Sequence, residues 1–214
     1  MKKRILVFAD SNGWGYVPGS GARYDEESRW PAILDSLLPD DFQVIEDCAN
    51  GRTIAFDDPI CEYRNGIKQI GTSLYCNNPV DLLIVMLGIN DVRYVYNAKP
   101  PFIARALQSL AEKAAYVGSP GMKILIVTPP ALRSCALGGP LSYYYDEESV
   151  KNCEGLAPCY QATAKKLRAY YFDASAAAAT SDIDGVHLDA ANHKKLAKAI
   201  LPVVLEILKA DKRY

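Results

Sequence analysis

The sequence predicts a three-layer α/β/α sandwich around a mostly parallel sheet, on three observations. Apolar runs of strand length alternate with segments of helical periodicity along the whole chain. The strongest runs, Ile5-Leu6-Val7-Phe8 and Leu82-Leu83-Ile84-Val85-Met86-Leu87, are apolar without interruption, as strands covered on both faces are. Both empty into polar, glycine-bearing turns, which suits the carboxyl ends of strands in an open parallel sheet. A length of 214 residues suits one domain with a full core and is short for two, so residues 1–214 are read as a single domain.

The first strand runs into Asp10-Ser11-Asn12-Gly13-Trp14-Gly15, which places Ser11 at the strand's carboxyl end. A helix follows: Ser28 can cap it, Pro31 falls in its first turn, and Trp30, Ile33, Leu34, Leu37 and Leu38 keep helical spacing until Pro39. Residues 42–46 alternate as a short strand before the turn Cys48-Ala49-Asn50-Gly51-Arg52-Thr53. Residues 66–76 carry a weak helical pattern, and Leu82 to Leu87 form the next strand, emptying into Gly88-Ile89-Asn90-Asp91. Ile103, Ala106, Leu107, Leu110, Ala114 and Val117 then share one face of a helix over residues 101–117. Lys123-Ile124-Leu125-Ile126-Val127 is a strand.

Residues 131–148 are irregular, and a loop this long inside a compact domain is more often functional than idle. Residues 150–170 look helical with a disturbance at Pro158, and Tyr171-Phe172-Asp173 is a last short strand. The final helix, over residues 190–209, starts at Asp189 as N-cap, buries Leu196, Ile200, Val203, Val204 and Ile207, and is kinked or tightened by Pro202.

Composition narrows the function classes. The formal net charge is -1 with no cluster of Lys and Arg, which argues against a nucleic-acid partner. No segment approaches the roughly 20 apolar residues that span a bilayer, so no membrane partner is expected. The basic start Met1-Lys2-Lys3-Arg4 precedes an apolar stretch too short for a signal peptide, which predicts a cytoplasmic chain with reduced thiols. Cys153 and Cys159 are the nearest pair were oxidation to occur. The six cysteines contain no C-x-x-C and only two histidines accompany them, so no metal site is expected.

Four polar clusters follow predicted strands: Ser11, Asn50-Gly51-Arg52, Asn90, and Asp184-Gly185-Val186-His187. Strand carboxyl ends share one edge of a parallel sheet, so these clusters can converge. Convergence is what nucleophilic acyl transfer needs: a serine hydroxyl, an imidazole to take its proton, and a carboxylate to hold the imidazole. His193 falls among Asn192, Lys194 and Lys195, which reads as a solvated helix face. His187 lies three residues after Asp184, close enough for the carboxylate to fold back onto the ring; Asp173 is the alternative. The N–H groups of Ser11 and Gly51 and the amide of Asn90 can meet an oxyanion. Taken singly, Ser11 could be a helix cap, and Gly51, Asn90 and Asp184 ordinary turn residues.

Asp10-Ser11, Asn50-Gly51, Gly88-Ile89-Asn90-Asp91 and Asp184-Gly185-Val186-His187 together resemble the four blocks of the GDSL or SGNH hydrolase superfamily. Trp14-Gly15-Tyr16-Val17-Pro18, Arg29-Trp30-Pro31, Gly51-Arg52-Thr53, Asp57-Asp58-Pro59 and Leu188 after the last block resemble its arylesterase, acyltransferase and perhydrolase branch. The resemblance implies a flavodoxin-like fold and hydrolysis of small carboxylic esters through an acyl-enzyme on Ser11, with no metal or cofactor. It implies His187 and Asp184 as triad partners, Ser11, Gly51 and Asn90 as the oxyanion hole, and a homo-oligomer. Transfer to an alcohol or hydrogen peroxide becomes an option if apolar walls disfavour water; Trp14 and Tyr16 are candidate walls, or else core aromatics.

Two departures from the family's Gly-Asp-Ser-Leu opening stand out. Ala9 should crowd the strand end, and Asn12 puts a polar group beside the serine. Asn12 and the tyrosine-rich loop also admit a non-catalytic carbohydrate or ligand-binding module. A phosphate binder built on the turn at Ser11 lacks the G-x-x-x-x-G-K-[ST] run that would support it.

Overall fold

In the computed structural model, which describes residues 2–209, the apolar runs form five parallel strands. They are β1 (Lys3–Ala9), β2 (Phe42–Cys48), β3 (Leu82–Met86), β4 (Lys123–Thr128) and β5 (Tyr170–Asp173), ordered β2-β1-β3-β4-β5 across the sheet. That is the flavodoxin-like order, whose switch point lies between the first and third strands. Met1, of the basic start, lies outside the described residues.

The helices are α1 (Ser11–Trp14), α2 (Trp30–Leu37), α3 (Gly66–Asn77), α4 (Pro100–Val117), α5 (Glu147–Glu154), α6 (Leu156–Leu167) and α7 (Ala190–Lys209). Side chains on β1 alternate between the two faces of the sheet, as a period of two requires. Ile5, Val7 and Ala9 pack against Trp30, Ile33 and Leu34 of α2 and Leu196, Ile200 and Val204 of α7. Leu6 and Phe8 face the opposite layer, where Ile70 and Leu74 of α3, Leu107 and Leu110 of α4, and Leu156 and Tyr160 of α6 close the core. Every residue of β3 is fully buried. At about 1.5–3 kcal/mol for each large apolar side chain removed from water, these central strands hold the layers together.

Some local expectations are corrected. The 150–170 segment breaks at Gly155, between α5 and α6, and not at Pro158. Pro158 occupies the first turn of α6, where a missing N–H leaves no helical bond unmade. Ser28 does not cap α2; the cap position belongs to Arg29, whose side chain instead reaches Glu46 at 2.7 Å. The last helix starts as read, with Asp189 accepting from the Asn192 N–H at 2.8 Å, and it continues as one α-helix through Pro202. No helix among the described residues is long and apolar enough to cross a membrane.

Candidate active site

Ser11 stands directly beyond β1 because Asp10 stops the strand and starts a helix. The Asp10 side chain accepts from the Asn12 N–H at 2.9 Å, and its carbonyl accepts from Gly13 and Trp14. Ser11 is therefore the first residue of α1, where backbone N–H groups have no partner within the helix. The turn is tight enough to demand glycine at position 13. A Cβ there would meet the Ala9 Cβ at 2.5 Å and the Cys48 Sγ at 2.7 Å.

The second cluster is fixed from below by Arg52. Its guanidinium donates to the carbonyls of Ala9 (3.2 Å) and Asp47 (2.5 Å), pairs with the Asp47 carboxylate at 2.8 Å and lies 4.0 Å over the Phe8 ring. These contacts tie the ends of β1 and β2 together and carry Gly51 beside Ser11. Gly51 has φ +74°, and a Cβ there would meet the Arg64 guanidinium at 2.7 Å. The third cluster locks onto the second: Asn90 donates to the Arg52 carbonyl at 3.0 Å, and the Asp91 carboxylate accepts from the Ile54 N–H at 2.9 Å. Burial pushes both Asp10 and Asp91 up to about 7.

The fourth cluster folds back as its D-x-x-H spacing suggests. Asp184 Oδ1 accepts from the N–H groups of Val186 (3.0 Å) and His187 (2.9 Å), which leaves Oδ2 2.8 Å from His187 Nδ1. The opposite ring nitrogen, Nε2, lies 2.9 Å from Ser11 Oγ. With the carboxylate holding a proton on Nδ1, Nε2 is the acceptor and the serine hydroxyl its donor. Burial pushes the Asp184 carboxyl up, but the His187 ring and the two backbone donors outweigh burial and hold it below its ordinary value. Tyr16 stacks on the imidazole with ring centroids 4.1 Å apart.

Ser11, Gly51, Asn90 and His187 open into one cavity of about 160 Å³. Its far wall is Leu141, Tyr143, Tyr144 and Tyr145, all from the long segment over residues 131–148, and Arg64 and Arg93 complete the lining. The arrangement can move a proton from a hydroxyl to an imidazole while amide N–H groups face the same space. Among the described residues, no cluster of three or more His, Cys, Asp or Glu could hold a metal ion, and all six cysteines are free.

Residues 10–195 match the GDSL-like lipase/acylhydrolase family. The chain belongs to that family. It is similar to the solved structure of a carbohydrate acetylesterase family member from Sinorhizobium meliloti, at 34% identity over 97% of this chain and 99% of that one, with a TM-score of 0.89. It is also similar to the aryl esterase of M. smegmatis, at 32% identity over 96% of this chain and 99% of that one, with a TM-score of 0.88. No curated protein matches the chain closely enough to add to this. As a GDSL-family protein it is an acylhydrolase of the esterase class.

Three expectations for this GDSL-family chain meet a different arrangement. His193 is not on a solvated face: it is fully buried, its Nδ1 accepts from the Trp30 N–H at 3.3 Å, and burial lowers it to about 4. Trp14 is not part of the cavity lining; the left-handed turn at Gly15 brings Tyr16 over His187, while Trp14 lies under the Arg23 guanidinium at 5.3 Å. Asp173 accepts from Ser175, not from either imidazole.

The two departures from the family's opening also find explanations. The Ala9 methyl occupies the space that Gly13 leaves. Asn12 donates to the Val186 carbonyl at 3.1 Å and accepts from the Leu188 N–H at 2.9 Å, gripping the backbone on both sides of His187. No local signal in the sequence announces that bond, because its partners lie 174 and 176 residues away.

Proposed function

We propose that this chain is a serine esterase for small carboxylic esters, acting through an acyl-enzyme on Ser11. One observation carries the proposal: the unbroken line from Asp184 Oδ2 through the His187 ring to Ser11 Oγ, with bonds of 2.8 and 2.9 Å, at the wall of a small cavity. Ser11 Oγ attacks the ester carbonyl as its proton passes to His187 Nε2. The carbonyl oxygen becomes an oxyanion held by the N–H groups of Ser11 and Gly51 and by Asn90 Nδ2. The C–O bond to the alcohol then breaks, and His187 returns the proton to the departing alkoxide. Water, activated by the same imidazole, releases the acid and restores Ser11.

The cavity's size favours short acyl groups. The aromatic wall of Tyr16 and Tyr143 to Tyr145 lines the path that water must share with an alcohol or hydrogen peroxide, so acyl transfer and perhydrolysis belong to the proposal. A homo-oligomer, as the family resemblance implies, belongs to the same reading, and mass measurement in solution tests it. Ser11→Ala or His187→Ala should lower kcat on p-nitrophenyl acetate on the order of 10⁶-fold. A fluorophosphonate should label Ser11 in the parent alone. Full turnover by Ser11→Ala would refute the scheme, whereas absence of both turnover and labelling in the parent would favour a non-catalytic ligand-binding module.

A further inference from the structure

Arg93 is a buried cation in the cavity lining, near enough to the buried Asp10 and Asp91 carboxylates to attract their charge without pairing directly with either. It is 8% exposed, its Nε is buried without a hydrogen-bond partner, and among the described residues it forms no ion pair. A guanidinium in that state costs stability unless its remaining contacts are strong. Two are present. Its Nη2 donates to Asn90 Oδ1 at 2.5 Å, and its plane lies 4.1 Å over the Tyr144 ring.

The Asn90 contact matters because a carboxamide has two ends of nearly equal size and opposite polarity. Turned one way, Asn90 offers the cavity an N–H; turned the other way, it offers a lone pair that would repel an oxyanion. Arg93 can only donate, so it holds the oxygen end. The Arg52 carbonyl can only accept, and it takes one N–H of Nδ2 at 3.0 Å. Between them the two anchors leave the second N–H as the group Asn90 presents to the cavity. The charge on Arg93 also draws electron density toward Oδ1, which makes that second N–H a stronger donor where little water screens it.

We infer that Arg93 is a positioning residue of the oxyanion site, acting through Asn90 by fixing which end of its amide faces the substrate and by polarising it. The inference rests on the esterase proposal above, with Asn90 as an oxyanion donor. It predicts that Arg93 contributes to the transition state and little to ground-state binding.

The test is a double-mutant cycle on p-nitrophenyl acetate with Arg93→Met and Asn90→Ala. Asn90→Ala should lower kcat by about 10²- to 10³-fold, as loss of an oxyanion donor does. Arg93→Met should lower kcat by about tenfold to a hundredfold, the worth of one hydrogen bond to a charged group, with KM within about twofold of the parent. In the Asn90→Ala background the same change should lower kcat by no more than about twofold. Arg93→Lys, which keeps the charge and a donor, should recover part of the loss and carries the same cycle if Arg93→Met does not fold. A parent-like kcat in Arg93→Met, a loss expressed in KM, or an undiminished penalty in the Asn90→Ala background would overturn the inference. A parent enzyme with no Ser11-dependent turnover would instead overturn the esterase proposal itself.

Discussion

His187 and His193 sit six residues apart and are both buried, yet their surroundings prepare them for opposite roles. Each follows an aspartate: Asp184 three residues before His187, and Asp189 four before His193. Asp184 turns Oδ2 onto the ring, and the second ring nitrogen reaches a hydroxyl. Asp189 turns instead to the N–H of Asn192 and starts α7, so His193 Nε2 is left buried with no partner. Burial is therefore common to both histidines. What separates them is the carboxylate: Asp184 lies on the first ring, while the second has burial alone acting strongly on it and is lowered.

Among changes that keep both rings, the largest effect should come from making the first histidine resemble the second. In Asp184→Asn the amide oxygen can keep the bonds to Val186 and His187 N–H, which leaves the NH₂ facing His187 Nδ1. The ring must then carry its proton on Nε2, toward Ser11, and cannot accept from the hydroxyl. We expect kcat to fall on the order of 10⁴-fold with the fold intact. A variant within tenfold of the parent, measured on p-nitrophenyl acetate, would show that the carboxylate does not set the tautomer.

A smaller loss should follow from loosening the backbone that carries His187. Asn12→Leu installs the residue usual in the family opening and removes both bonds to Val186 and Leu188. The buried carbonyl and N–H left behind cost about 1–3 kcal/mol each. Part of that should appear as a roughly tenfold lower kcat through displacement of the ring, and part as a lower melting temperature. An unchanged kcat with a lowered melting point would assign Asn12 to stability alone. The segment keeps a second tether, Ser181 N–H to His187 carbonyl at 2.7 Å, so complete inactivation is not expected.

The same pair of histidines shows what the amino-acid order discloses. β1, β3 and the helix α4 are legible because burial on both faces or along one stripe writes itself into a local pattern. Asp184 with His187 is legible because its geometry is local. His193 reads as exposed because its chain neighbours Asn192, Lys194 and Lys195 are polar. On a helix, though, the neighbours that count are three and four residues away. His193 heads the buried stripe Leu196, Ala197, Ile200, Val204 and Ile207, and reading the face in place of the adjacent residues would have found it. Asn12 and Arg93 were illegible for another reason. Their significance lies in which end of a distant backbone or amide they hold, and no spacing in the chain records that.

The smallest effect is a pH dependence at His193. His193 is lowered to about 4 in the folded chain against an ordinary 6.5, so below 6.5 the unfolded chain binds a proton that the folded one refuses. Its contribution to stability is present above pH 6.5 and lost as pH falls toward 4, about 2–3 kcal/mol across that window. Asp10 and Asp91, raised to about 7, act in the opposite sense: the folded chain takes up their protons as pH falls below 7, so their stabilising share grows there and is lost as pH rises. The total curve thus mixes both signs, and only a difference isolates His193. His193→Gln should therefore be compared with the parent by urea unfolding at pH 7.5 and pH 4.5. The stability of the parent relative to the variant should shrink or reverse at the lower pH, while kcat at pH 7.5 stays within about twofold, because no bond runs from this ring to Ser11 or Asp184. A gap of the same size at both pH values would mean that His193 takes up its proton as readily folded as unfolded, and that burial of this ring does not act on its charge.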